Sequence, residues 1–135
     1  MKSIKEKAVF ENLANYLNYV WLFAKDNDLS NDFLRKITLA VEELLVNVIS
    51  YAYPKDSIGE VELSLSISKE TIKINIIDSG IPFNILKVKA PDTNLPLHKR
   101  GIGGMGIHFV KKLADKIEYE RKAGENHLTI FKKIS

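Results

Sequence analysis

The 135-residue chain contains no cysteine, so disulfides and thiolate metal sites are excluded and a reducing compartment is left open. Its three histidines, His98, His108 and His127, are scattered, and no pair has ligand spacing with an acid between, which disfavours a zinc site. No long apolar run occurs. The richest stretch, Tyr16 to Ala24, is broken by Asn18 and closed by Lys25, well short of a membrane span. The opening residues Met1 to Lys7 carry charges where a secretion signal needs an uninterrupted apolar segment, so a cytoplasmic protein without membrane contact is expected. The absence of Gly-x-Ser-x-Gly disfavours a covalent serine hydrolase, and no glycine cluster is followed by Lys and then Ser or Thr as a P-loop requires. Neither charge dominates: 20 Lys and Arg against 17 Asp and Glu leave +3, spread along the chain, which argues against direct nucleic-acid binding.

Hydrophobic residues make up 45% and charged residues 27%, an ordinary globular composition. A chain of this length forms one domain, here residues 1–135, burying roughly two thirds of its unfolded surface. Helical spacing of Phe10, Leu13, Leu17, Val20, Trp21 and Ala24 predicts a first helix to about Lys25, with a short strand near Ser3 to Lys7 before it. Ser30-Asn-Asp32 offers caps for a second helix carrying Leu34, Ile37, Val41, Leu44, Leu45 and Val48, ended by Pro54. Alternation at Val61, Leu63, Leu65 and Ile67 predicts a strand, paired through Lys69-Glu70 with a second over Thr71 to Ile77. Pro82 to Arg100 has no period, and a loop of that length is more often functional than structural. Gly104 to Ala114 predicts a third helix. Lys116 to Lys122 and His127 to Lys133 predict a closing hairpin linked by Ala-Gly-Glu-Asn, with Ile117, Tyr119, Leu128 and Ile130 on its apolar positions. Helices packed on one face of a mostly antiparallel sheet follow as the economical α+β architecture.

Three segments stand out against this frame. Glu43-Leu-Leu-Val-Asn47 puts an acid and an amide one turn apart on a mostly apolar helix, with Ala40 and Ser50 extending a small, polar stripe. An amide oxygen suits Mg²⁺ that shares its shell with phosphates, and the carboxylate can take a proton from an attacking hydroxyl. Equally, Glu42 and Glu43 can be a solvated patch and Asn47 a partner for a backbone group. Asp78-Ser-Gly80 follows an apolar strand; its carboxylate can accept from the amine of adenine, or the segment can be a plain turn. Gly101, Gly103 and Gly106 match G-x-G-x-x-G, but the residues before them are not strand-like, so a dinucleotide fold is disfavoured. Exposed glycine N–H groups before a helix still favour phosphate, and Lys99 and Arg100 add charge.

In this order the segments resemble the GHKL ATPase superfamily, and most closely its anti-sigma factor serine/threonine kinases. Ile37 to Tyr53 looks like the N-box, Asp78-Ser-Gly-Ile-Pro-Phe83 like the first glycine box, Arg100 to Ile107 like the second, and Leu128-Thr-Ile130 like the terminal threonine strand. The resemblance implies a Bergerat ATP-binding fold: an α+β two-layer sandwich with helices on one face of a mixed, mostly antiparallel sheet. It implies ATP and Mg²⁺ as cofactors, with Asn47 holding the metal, Asp78 reading adenine, Gly80 making space for it and Thr129 near that contact. Arg100, Gly103, Gly104, Met105, Gly106 and Ile107 would line the phosphate side under a lid over about 87–103, and Glu43 would be the catalytic base. Asn84 stands where relatives often have Asp. The implied partners are a STAS-type anti-sigma factor antagonist, a sigma factor and a second copy in a homodimer. The alternative is a non-catalytic, ATP-gated binding module. A detached histidine kinase domain is a third option, disfavoured because the chain leaves no room for a phosphoacceptor hairpin ahead of the ATP domain.

Overall fold

A computed structural model describes residues 2–88 and 104–134. Strand β1 (Ile4–Lys7) leads through a 3-10 turn at Phe10–Asn12 into helix α1 (Leu13–Asp26) and then α2 (Asn31–Tyr51). Strands β2 (Glu60–Ser68) and β3 (Thr71–Asp78), a 3-10 turn at Ile85–Lys87, helix α3 (Gly104–Leu113) and strands β4 (Lys116–Lys122) and β5 (Glu125–Lys133) complete the described chain. The sheet runs β1-β2-β3-β5-β4, and every pairing among the described residues is antiparallel, so it carries no parallel component.

The alternating strands put one apolar face under the helices. Leu63, Ile76 and Leu128 lie in one cross-strand row, and Leu65, Ile74 and Ile130 in the next, all buried. Each such side chain contributes about 1.5–3 kcal/mol on leaving water. From the other side α2 contributes Ile37, Val41, Leu44, Leu45 and Val48, and α3 adds Ile107 and Val110. The Ser30 hydroxyl caps α2 by accepting from the Phe33 N–H at 3.1 Å, a contact worth about 1 kcal/mol.

Helix α1 differs from the periodic reading. Its buried residues are Tyr16, Tyr19, Val20 and Ala24, whereas Phe10 and Trp21 are 56% and 49% exposed. The 3-10 turn explains the slip: three residues at the tighter pitch advance the phase by about 60° relative to an α-helix begun at Phe10. Tyr16 anchors α1 to the sheet by donating to the Val61 carbonyl at 2.6 Å and accepting from the Glu6 N–H at 2.9 Å. Burial pushes its hydroxyl up to about 12.

The closing hairpin also differs. Ala123 and Gly124, both at positive φ (52° and 77°), close it in two residues, as a tight turn of matching twist requires. Glu125 and Asn126 therefore belong to β5, and Asn126 falls directly opposite Asp78.

Candidate active site

A cleft opens between α2, the end of β3, the segment after it and the β4–β5 hairpin. Asn47 and Val48 of α2 line it, with Asp78 of β3, Tyr119 of β4 and Asn126 of β5. Tyr51 and Ile81, about half exposed, supply an apolar mouth suited to a flat ring.

Asp78 and Asn47 both line this one cleft. Asp78 is 7% exposed, and its Oδ1 accepts from the Gly80 N–H and from Asn126 Nδ2, each at 2.9 Å. Asn47 is buried, and its Oδ1 has no hydrogen-bond partner among the described residues. An orphaned acceptor in a protein interior costs about 1–3 kcal/mol, so an unpartnered amide oxygen on a residue that lines the cleft fits a cation better than it fits a packing role. The plain alternative, in which this amide satisfies the backbone, does not describe Oδ1. Glu43, one turn earlier, is half-buried rather than in a solvated patch, and it packs against the first turn of α3. A Cβ on Gly106 would lie 2.0 Å from Glu43 Oε2, so the glycine lets the carboxylate keep this close approach without shifting.

Other expected site residues are placed differently. Thr129 alternates with the buried Leu128 and Ile130 and so faces away from the helices, where its hydroxyl accepts from Asn75 Nδ2 at 2.9 Å. It lies outside the cleft, and Asn126 is the β5 residue beside Asp78. Ile107 is 1% exposed and belongs to the core, so its side chain does not line the phosphate side. At Gly80 packing alone calls for glycine: a Cβ there would meet the Ala52 carbonyl oxygen at 2.3 Å, where Ala52 accepts from the Ile81 N–H at 2.9 Å. Arg100, Gly103 and the expected lid over about 87–103, apart from Lys87 and Val88, lie outside the described residues, and nothing of the Met105 side chain is described.

Two further residues brace the segment after β3. The Tyr53 hydroxyl donates to the Glu60 carbonyl at 2.6 Å and accepts from the Ser79 N–H at 2.8 Å, and burial raises it above the usual phenol range. Arg121 donates to the Gly80 carbonyl at 2.7 Å. Neither was marked by motif, although Tyr53 ends the N-box segment.

This fold and cleft have relatives. The model of the histidine kinase-like ATPase domain matches residues 8–132, and the chain belongs to that family. It is 26% identical over 94 residues to the serine/threonine-protein kinase BtrW of Bordetella bronchiseptica, covering 70% of this chain and 66% of that one. It is 25% identical over 97 residues to the serine-protein kinase RsbW of Bacillus mycoides, covering 69% and 60% respectively. The chain thus spans about 60–66% of the length of these curated relatives. In fold it resembles the RsbU and RsbW domains of a Mycobacterium tuberculosis protein, with a TM-score of 0.63, 12% identity and coverage of 99% of this chain and 33% of that one. A blue-light activated histidine kinase of Erythrobacter litoralis gives a TM-score of 0.56 at 19% identity, covering 80% and 32%. No helix among the described residues is long and apolar enough to cross a membrane.

Proposed function

We propose that the chain binds ATP with Mg²⁺ in this cleft and transfers the γ-phosphoryl group to a serine or threonine hydroxyl of a protein partner. The observation that carries the reading is a single pocket with a buried acceptor, Asp78, at one side and an unpartnered amide oxygen, Asn47 Oδ1, at another. Asp78 accepts from the adenine amine between the apolar groups of the mouth. Asn47 would hold Mg²⁺, which when bound neutralises phosphate charge. Arg100, Gly103, Gly104, Met105 and Gly106 supply phosphate contacts in this reading, through backbone N–H groups and the Arg100 charge. Glu43 takes the proton of the attacking hydroxyl as its oxygen bonds to the γ-phosphorus and the bridging bond to ADP breaks.

The names of the relatives support a kinase, and a STAS-type anti-sigma factor antagonist is the proposed substrate, with a sigma factor as the alternate partner. A homodimer in the cytoplasm completes the proposal. The experiment is radiolabel transfer from ATP to candidate antagonists by wild type and Glu43→Gln, with nucleotide affinity measured in parallel. Loss of transfer with affinity kept supports Glu43 as the base. Binding without transfer by wild type supports the second reading, a non-catalytic ATP-gated module.

A further inference from the structure

Asn126 has no role in any of the motifs, yet it is 4% exposed and its amide uses all four of its hydrogen-bonding options. Nδ2 donates to Asp78 Oδ1 at 2.9 Å and to the Ile81 carbonyl at 2.8 Å. Oδ1 accepts from the Phe83 N–H at 3.3 Å and from the Tyr119 hydroxyl at 2.5 Å. Two backbone partners fix the orientation of the amide. The Ile81 carbonyl can only accept and the Phe83 N–H can only donate, so a reversed amide would oppose like to like at both. Asp78 therefore meets a permanent donor on Oδ1, while Oδ2 carries no hydrogen bond among the described residues.

We propose that Asn126 is the positioning residue that makes this cleft select a purine bearing an exocyclic amine. By holding Asp78 from behind, it fixes the plane of the carboxylate and keeps it an acceptor. A base with a keto oxygen at that point, such as hypoxanthine, then faces oxygen against oxygen. The inference rests on the nucleotide reading given above and assigns its base selectivity to a residue outside the recognised boxes.

The test compares ADP and IDP binding to wild type and Asn126→Asp by calorimetry from pH 5 to pH 8. In the variant an oxygen replaces Nδ2 opposite Asp78. At pH 8 two carboxylates then face each other, and ADP affinity falls about ten-fold or more relative to wild type. Near pH 5 a single proton bridges the pair in place of the amide hydrogen and leaves Asp78 Oδ2 an acceptor, so ADP affinity and the preference for ADP over IDP recover together. The other groups facing the pair are Tyr119 from β4, Arg121 on the Gly80 carbonyl and Tyr53 behind Asp78, all common to both proteins. His127, paired with Glu125, sits on the far face of the sheet and is common to both proteins. If Asn126→Asp does not fold, Asn126→Leu removes both donors without adding charge and is expected to lower the ADP to IDP preference. A folded variant that keeps the wild-type preference, with a flat variant-to-wild-type affinity ratio across pH, overturns the proposal. Failure of wild type to bind either nucleotide overturns the underlying reading, and this proposal with it.

Discussion

Gly80→Ala separates two accounts of the same glycine. If Gly80 only makes room for a base, an added methyl weakens nucleotide binding and leaves the free protein as stable as before. The geometry says otherwise. The new Cβ would lie 2.3 Å from the Ala52 carbonyl oxygen, 2.6 Å from Ala52 Cβ and 2.7 Å from the Ala52 carbonyl carbon, atoms at the end of α2 that have little freedom to yield. The segment must retreat by about 1 Å to reach ordinary contact with the 2.3 Å neighbour. That strains three hydrogen bonds: Ile81 N–H to Ala52, Gly80 N–H to Asp78, and Arg121 to the Gly80 carbonyl. Weakening them together costs about 2–4 kcal/mol, two of the three involving charged groups. At this chain length that lowers Tm by roughly 8–16 °C. Thermal unfolding of the ligand-free protein by circular dichroism reads the effect. A Tm within about 2 °C of wild type would refute the packing argument and return Gly80 to the role of ring space.

Asn47→Leu removes the orphaned Oδ1, so the free protein should gain up to about 1 kcal/mol in urea unfolding while the Mg²⁺-dependent part of nucleotide affinity disappears. Thr129→Val should leave nucleotide affinity unchanged by calorimetry, because the hydroxyl bonds Asn75 on the opposite face of the sheet. Stability should fall between pH 10 and pH 12. The Tyr16 hydroxyl is protonated in both states below pH 10, the unfolded chain deprotonates first above it, and the folded value is pushed up to about 12. Denaturant titrations should show a loss of about 2–3 kcal/mol across that window from this group, absent in Tyr16→Phe, which starts less stable because the Val61 carbonyl loses its donor.

The helices, the first hairpin and the pair Asp78 and Asn47 were legible because each rests on a local rule. Apolar periodicity marked α2 and the central strands, and Ser30 marked the cap. Asn47 stood out as an amide on a helix otherwise destined for burial. What was not legible depends on register between distant segments. The motif reading gave Thr129 a site role, yet its own neighbours Leu128 and Ile130 occupy the buried face of β5, so period two already turns Thr129 away. Asn126 was hidden because Ala-Gly-Glu-Asn reads as a four-residue loop. Only the two-residue closure at Ala123 and Gly124 extends β5 far enough to oppose Asp78. The exposed Trp21 reflects a 3-10 turn that composition does not mark, and the close approach of Gly80 to Ala52 is a tertiary contact with no local signal.

The central claim is that the cleft between α2 and the β3 end holds the purine of ATP against Asp78. Calorimetric titration of ADP with Mg²⁺ into wild type and Asp78→Asn tests it most directly. Saturable binding by wild type and affinity at least about ten-fold lower in the variant are predicted, since a charged acceptor would become a neutral amide. Equal affinity in the two proteins, or no binding by wild type, would contradict the account.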